Sequence, residues 1–151
     1  MSNTFERSCD HWSENSRKEM EDFYSLASVD YDHLSKVHDW KSWLIDLQKN
    51  CLNDRLHLLD VACGSGKFPS ALLKNLNLNS KDLKKIDYSL LDPSSFSIQE
   101  TAKKLKNPFE VNKKYETTLQ DFNCHKGLFD IVWAIHALYA VPKKDLKLAK
   151  K

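Results

Sequence analysis

The chain has 151 residues, enough to bury the core of one domain and too few for two ordinary ones. With 41% apolar and 29% charged residues it reads as globular. It has no apolar run of the roughly 18 residues a membrane span needs, and its start, MSNTFERSCDHW, lacks the apolar centre of a secretory signal, so a cytoplasmic protein is expected.

Net charge is +2, unevenly spread: residues 143–151, KKDLKLAKK, hold five lysines and one aspartate, which leaves the rest of the chain slightly acidic. The tail reads as a solvated helix end, and no basic surface for nucleic acid is predicted. Cys9, Cys51, Cys63 and Cys124 form no CxxC pair, and the histidines at 11, 33, 38, 57 and 125 add no metal-ligand spacing, so no metal is expected.

The first 50 residues contain no glycine or proline and read as helical. Leu34, Val37, Trp40, Leu44 and Leu47 recur at three- and four-residue steps, which predicts one apolar helix face packed on a sheet. That helix and the segment before it, FYSLASVDYDHL at 23–34, are expected to cap a site as a lid, with Tyr24, Asp30, Tyr31 and Asp32 as polar candidates.

A first strand is predicted from Leu56 to Val61, ending in an acidic-then-small turn that carries Asp60, Gly64 and Gly66. A helix follows from about Phe68 to Leu76, with Pro69 tolerated in its first turn. Asn77 to Lys85 returns the chain to strand two, Ile86 to Leu91, which ends in Asp92-Pro93-Ser94-Ser95. Ser94 or Ser95 caps a helix from Phe96 to Leu105, and Asn107-Pro108 is expected to end it. Strand three falls within Phe109 to Thr117, Gly127 resets the chain, and strand four runs from Phe129 to Ile135. Alternating strands and helices argue for a parallel sheet.

Three glycine-loop chemistries can be weighed at residues 60–69. A phosphate-cradling loop needs glycine where Val61 stands and Ser or Thr where Phe68 stands, so it is excluded. A dinucleotide fingerprint needs a third glycine, and this sequence reaches Pro69 instead, which leaves a nicotinamide-binding domain as a minor reading. The string LLDVACGSGKF resembles motif I of the class I S-adenosylmethionine (SAM)-dependent methyltransferases. Asp92 then stands 26 residues past Gly66, near the spacing at which such folds place an acid for ribose hydroxyls; its other reading is a turn or helix-capping aspartate. ETTLQDF at 116–122 resembles the adenine-contacting segment, and FDIVWAIHALYAVP resembles motif IV.

The resemblance implies a Rossmann-like α/β fold: a doubly wound parallel sheet, truncated after the fourth strand, with an N-terminal helical cap. It divides the chain into a cap at 1–52, a SAM-binding core at 53–142 and the lysine-rich start of an incomplete helix at 143–151. It assigns Asp60 to the methionine ammonium, with Ala62, Cys63, Gly64 and Gly66 forming the turn around the cofactor. Asp92 and Pro93 go to the ribose side, Thr118 or Asp121 to adenine, and Ile135 to the chain beneath the transferred methyl. Ala62 replaces the usual first glycine, which the turn tolerates if φ there stays negative.

Within the family, DPSSFSIQETAKKL and FDIVWAIHALYAV look most like small-molecule amine methyltransferases related to histamine N-methyltransferase. That resemblance implies Asp30 as the acid facing a cationic amine and His136 and Tyr139 along the acceptor pocket; His136 reads as a pocket-wall histidine first, and as the leading general base where the acceptor arrives protonated. Ala134-Ile135-His136-Ala137 departs from the polar-Pro-Pro-aromatic string of nucleobase-modifying relatives, which disfavours a nucleic acid acceptor. The acceptor expected is a small-molecule nitrogen or oxygen.

The resemblance stops after strand four, which would leave an open apolar edge. A fragment of a longer protein, self-association or a partner chain at that edge, or an inactive remnant would each account for this. The alternative to an enzyme is therefore a non-catalytic SAM-binding or interaction module.

Overall fold

Among the described residues two helices precede the sheet, α1 (Arg17–Leu34) and α2 (Trp40–Lys49). The computed structural model describes residues 16–51, 55–76, 81, 83–138 and 141–146; Tyr139, the Tyr24 side chain and residues 147–151 lie outside the described residues. The single apolar face expected from Leu34 to Leu47 is split. The Asp39 side chain accepts the Ser42 amide at 3.1 Å and starts a new helix, so Val37 falls in the intervening turn and is 57% exposed. The Trp40 indole bridges the break by donating to the Leu34 carbonyl at 2.9 Å.

The core alternates β1 (Leu56–Val61), α3 (Lys67–Asn75), β2 (Ile86–Asp92), α4 (Ser95–Lys104), β3 (Phe109–Glu116) and β4 (Ile131–Trp133). All strand pairs are parallel, in the order β3-β2-β1-β4. The chain steps outward from β1 to β3, then returns to lay β4 on the other side of β1. That reversal makes the carboxyl ends of β1 and β4 the switch point where open α/β sheets bind ligands.

Side-chain alternation assigns the two faces. Leu56, Leu58, Ile86, Tyr88, Leu90 and Trp133 bury against Leu44 of α2, Phe68 and Leu72 of α3 and Ile98 of α4. Each such aliphatic contributes about 1.5–3 kcal/mol by leaving water. An aromatic chain threads this face, with ring centroids 5.5 Å apart for Trp40–Phe68, 5.2 Å for Phe68–Trp133 and 5.8 Å for Trp133–Tyr88. The other face carries a smaller cluster, Leu59, Val61 and Leu91 with Tyr115, Phe122 and Phe129.

Polar ties fix the helices. Gln48 of α2 exchanges two 2.9 Å bonds with the Lys84 backbone, and Asn75 at the end of α3 donates to Asp32 Oδ1 at 2.6 Å and Ser35 Oγ at 2.7 Å. At the amino edge of the sheet, Arg55 pairs with Asp87 and Glu110, and Lys85 with Glu110.

The end of α4 falls within a residue of expectation, whereas β4 is shorter than expected. α4 ends at Lys104, where Leu105 turns extended before Asn107-Pro108 is reached. β4 is three residues long, because Asp130 spends its carboxylate on the His57 amide at 2.8 Å and Ile135-His136 form a turn with His136 at φ +53°. Residues 143–146 form turns. Among the described residues, no helix is long and apolar enough to cross a membrane.

Candidate functional site

β1 delivers Asp60 to the carboxyl edge, and the backbone reverses through residues 62–66 into α3. Ala62 adopts φ +52°, contrary to the negative φ expected for it: the turn keeps the left-handed geometry of a glycine position and imposes it on an alanine. Gly64 and Gly66 also lie at positive φ, +52° and +69°. At Gly66 a Cβ would meet Thr101 Cγ2 at 3.0 Å and Thr101 Cα at 3.1 Å, so the residue is required by close approach of α4 as well as by conformation.

Neighbouring elements hold the turn. The Cys63 amide donates to the Leu91 carbonyl at 3.2 Å, and the Gly64 amide donates to Asp92 Oδ2 at 3.0 Å. From α4, Thr101 Oγ1 donates to the Gly64 carbonyl at 2.7 Å and Lys104 Nζ to the Ser65 carbonyl at 2.8 Å. Asp92 Oδ1 accepts the Ser94 amide at 2.9 Å, and Ser94 Oγ caps α4 by accepting the Ser97 amide at 3.2 Å. Asp92 therefore does the work of a turn aspartate while standing beside the glycine turn.

Both acids are buried, Asp60 at 4% exposure and Asp92 at 5%. Burial pushes the Asp60 carboxyl up to about 7; the charge of Asp92 adds to this, while hydrogen bonds from Tyr88 and Trp133 act against it. Burial likewise raises Asp92 to about 6 against the pull of the Ser94 and Gly64 amides. The Cys63 thiol is pushed well up, chiefly by burial. Lys104 is lowered by burial and by Lys67. A cation placed at this edge would favour the ionised form of both acids.

The remaining expected residues fall in several places. Pro93 is exposed beside Asp92, and Ile135 is half-buried after β4. Thr118 and Asp121, left as alternatives by the sequence, bond to each other: Thr118 Oγ1 donates to Asp121 Oδ2 at 2.7 Å and accepts the Asp121 amide at 3.2 Å. His136 is exposed and meets Tyr31 of α1 edge-to-face, centroids 5.3 Å apart. Asp30 is exposed on α1, and it is its neighbour Tyr31 that reaches His136. Tyr139 lies outside the described residues.

Sequence reasoning missed four supports. In the letters alone Tyr88 and Trp133 fall within predicted strands and Thr101 and Lys104 within a predicted helix, and no motif marks them. The available signal was polarity at buried positions, since a buried phenol or indole must find a partner. Tyr88 Oη donates to Asp60 Oδ2 at 2.7 Å, and Trp133 Nε1 donates to Tyr88 Oη at 3.2 Å.

No protein-family model matches the chain, and neither does any curated protein. Solved structures do. Magnesium protoporphyrin IX methyltransferase (ChlM) from Synechocystis PCC 6803, with bound SAM, aligns over 98% of this chain and 69% of its own at 14% identity, TM-score 0.61. The plantazolicin methyltransferase BpumL in complex with SAH aligns over 83% of this chain and 44% of its own at 18% identity, TM-score 0.47. The chain thus spans less than half the length of BpumL. Four parallel strands in the order β3-β2-β1-β4, with helices packed against them, give this chain the Rossmann-like α/β fold found in ChlM.

Proposed function

We propose that this chain is the cofactor-binding portion of a SAM-dependent methyltransferase acting on a small-molecule nitrogen or oxygen. The observation that carries the reading is the bond from the Gly64 amide to Asp92 Oδ2, which brings the β2 acid and the β1 turn into one cradle at the switch point. Two buried, reluctantly ionised acids suit a ligand that brings positive charge, and the SAM bound to ChlM supports the same choice.

In this reading Asp60 faces the ligand's ammonium, the turn of Ala62, Cys63, Gly64 and Gly66 lies along its amino-acid part, and Asp92 and Pro93 take the ribose. Thr118 and Asp121, coupled by their mutual bonds, serve adenine together, and Ile135 lies under the transferred methyl. The cofactor supplies an electrophilic methyl on a sulfonium; the protein's task is alignment and exclusion of water. His136, with Asp30 and Tyr139, belongs to the acceptor side, where His136 can take a proton from a protonated acceptor.

Calorimetric titration of the purified chain with S-adenosylhomocysteine (SAH), with its oligomeric state checked in the same sample, tests this. Saturable binding is expected; a folded sample that binds none refutes it. The second reading, a non-catalytic SAM-binding or interaction module, is favoured by Val132, 60% exposed on an edge strand bonded to β1 alone among the described residues. A monomer that turns over SAM excludes it.

A further inference from the structure

Behind Asp60 stands a row of hydrogen bonds with a single direction. Trp133 Nε1 of β4 donates to Tyr88 Oη of β2 at 3.2 Å, and the same hydroxyl donates its one proton to Asp60 Oδ2 of β1 at 2.7 Å. All three side chains are buried, and each comes from a different strand. Because the indole occupies the phenol oxygen as a donor, the phenol proton is directed at the carboxylate. Strand register makes this possible, since Asp60 pairs with Trp133 across β1–β4 and Leu58 with Tyr88 across β1–β2.

We propose that Tyr88 and Trp133 are positioning residues for Asp60: their hydrogen-bond relay fixes Oδ2 and holds the buried acid ready to ionise against the ligand's ammonium. This rests on the SAM reading above. The other titratable groups around the acid do not perform the same task. Asp92 on β2 is itself an acid and opposes ionisation, and the Cys63 thiol in the turn is neutral. Lys104 of α4 ends on the Ser65 carbonyl, and His136 after β4 meets Tyr31 of α1. Burial holds the carboxyl near 7, so a small change in the relay moves its ionisation across the neutral range.

The test is SAH titration of the whole chain from pH 5 to 9, repeated in buffers of different ionisation enthalpy to count protons released. Wild type is expected to bind more tightly as pH rises through about 7, with proton release greatest below that pH. Tyr88→Phe is expected to move this midpoint up by about one pH unit while reaching nearly the same affinity at high pH. A purely structural role would instead weaken binding equally at every pH, and that result overturns the proposal. Should Tyr88→Phe fail to fold, Trp133→Phe is expected to shift the midpoint in the same direction by less, and an unmoved midpoint overturns the proposal. In Asp60→Asn the component near pH 7 should vanish, leaving that of Asp92 near 6; its persistence overturns the assignment to Asp60. Folded wild type that binds no SAH at any pH overturns the cofactor reading and the relay's role with it, whereas binding with the same pH midpoint in wild type, Tyr88→Phe and Trp133→Phe overturns the relay's role alone.

Discussion

Asp92 Oδ2 accepts the amide of Gly64 at 3.0 Å, so the acid that ends β2 holds the turn that ends β1. Its other oxygen accepts the Ser94 amide at 2.9 Å at the start of α4. Asp92→Ala would leave both amides without these acceptors and open the cradle. A loss of SAH affinity of at least about tenfold is expected by calorimetry, at about 1–3 kcal/mol for each buried donor left unmet. Unchanged affinity would remove Asp92 from the site.

Stability should fall as pH rises from about 4 to about 7. Asp60 and Asp92 are raised from the usual 3.8 to about 7 and about 6, so between about pH 4 and 7 the folded chain holds protons that the unfolded chain has released. Their contribution is complete below about pH 4 and lost on passing 7, at most on the order of 4 kcal/mol for Asp60. Asp32, lowered chiefly by its bond from Lys36, Asp39, lowered chiefly by Ser42, and Glu110, lowered chiefly by Lys85, act in the opposite sense: their contribution is present above the usual carboxylate range and lost as pH falls through it. Urea midpoints should therefore peak near pH 4 to 5 and decline to about pH 7, and Asp60→Asn should flatten that decline.

Two substitutions in the β1 turn should act in opposite directions. Ala62 is exposed at φ +52°, so Ala62→Gly removes backbone strain without losing packing and should stabilise by about 1 kcal/mol. Gly66→Ala combines φ +69° with a 3.0 Å approach to Thr101 and should cost more than about 2 kcal/mol. Denaturant unfolding measures both; equal effects would contradict the turn geometry.

Asn75 ties the end of α1 to α3 through Asp32 and Ser35. Asn75→Ala is expected to cost about 1–3 kcal/mol and to speed amide exchange in α1 more than in β1 or β2. Uniform exchange across these elements would show that α1 is held by other contacts.

The sequence by itself determined the local elements. The apolar runs at 56–61 and 86–91, the glycine turn between strand and helix, and the serine cap before Ser95 each carry their signal within a few residues, and β1, β2, α3 and α4 lie within a residue or so of the expected bounds. The candidate site was legible for the same reason: Asp60, Gly64, Gly66 and Asp92 sit at strand ends, where an α/β sheet presents side chains to a ligand. Long-range geometry was not legible. The break at 35–39 interrupts a helical period that continues unbroken in the letters, because Asp39 caps locally while Trp40 must reach Phe68. The φ of Ala62 follows from a turn clamped by β2 and α4, not from alanine's own preference. Pairing Tyr88 and Trp133 with Asp60 needed parallel register across three strands, and only the folded sheet supplies it. Periodicity reports what each segment buries, whereas the protonation of a buried acid depends on which partners the other strands bring to it.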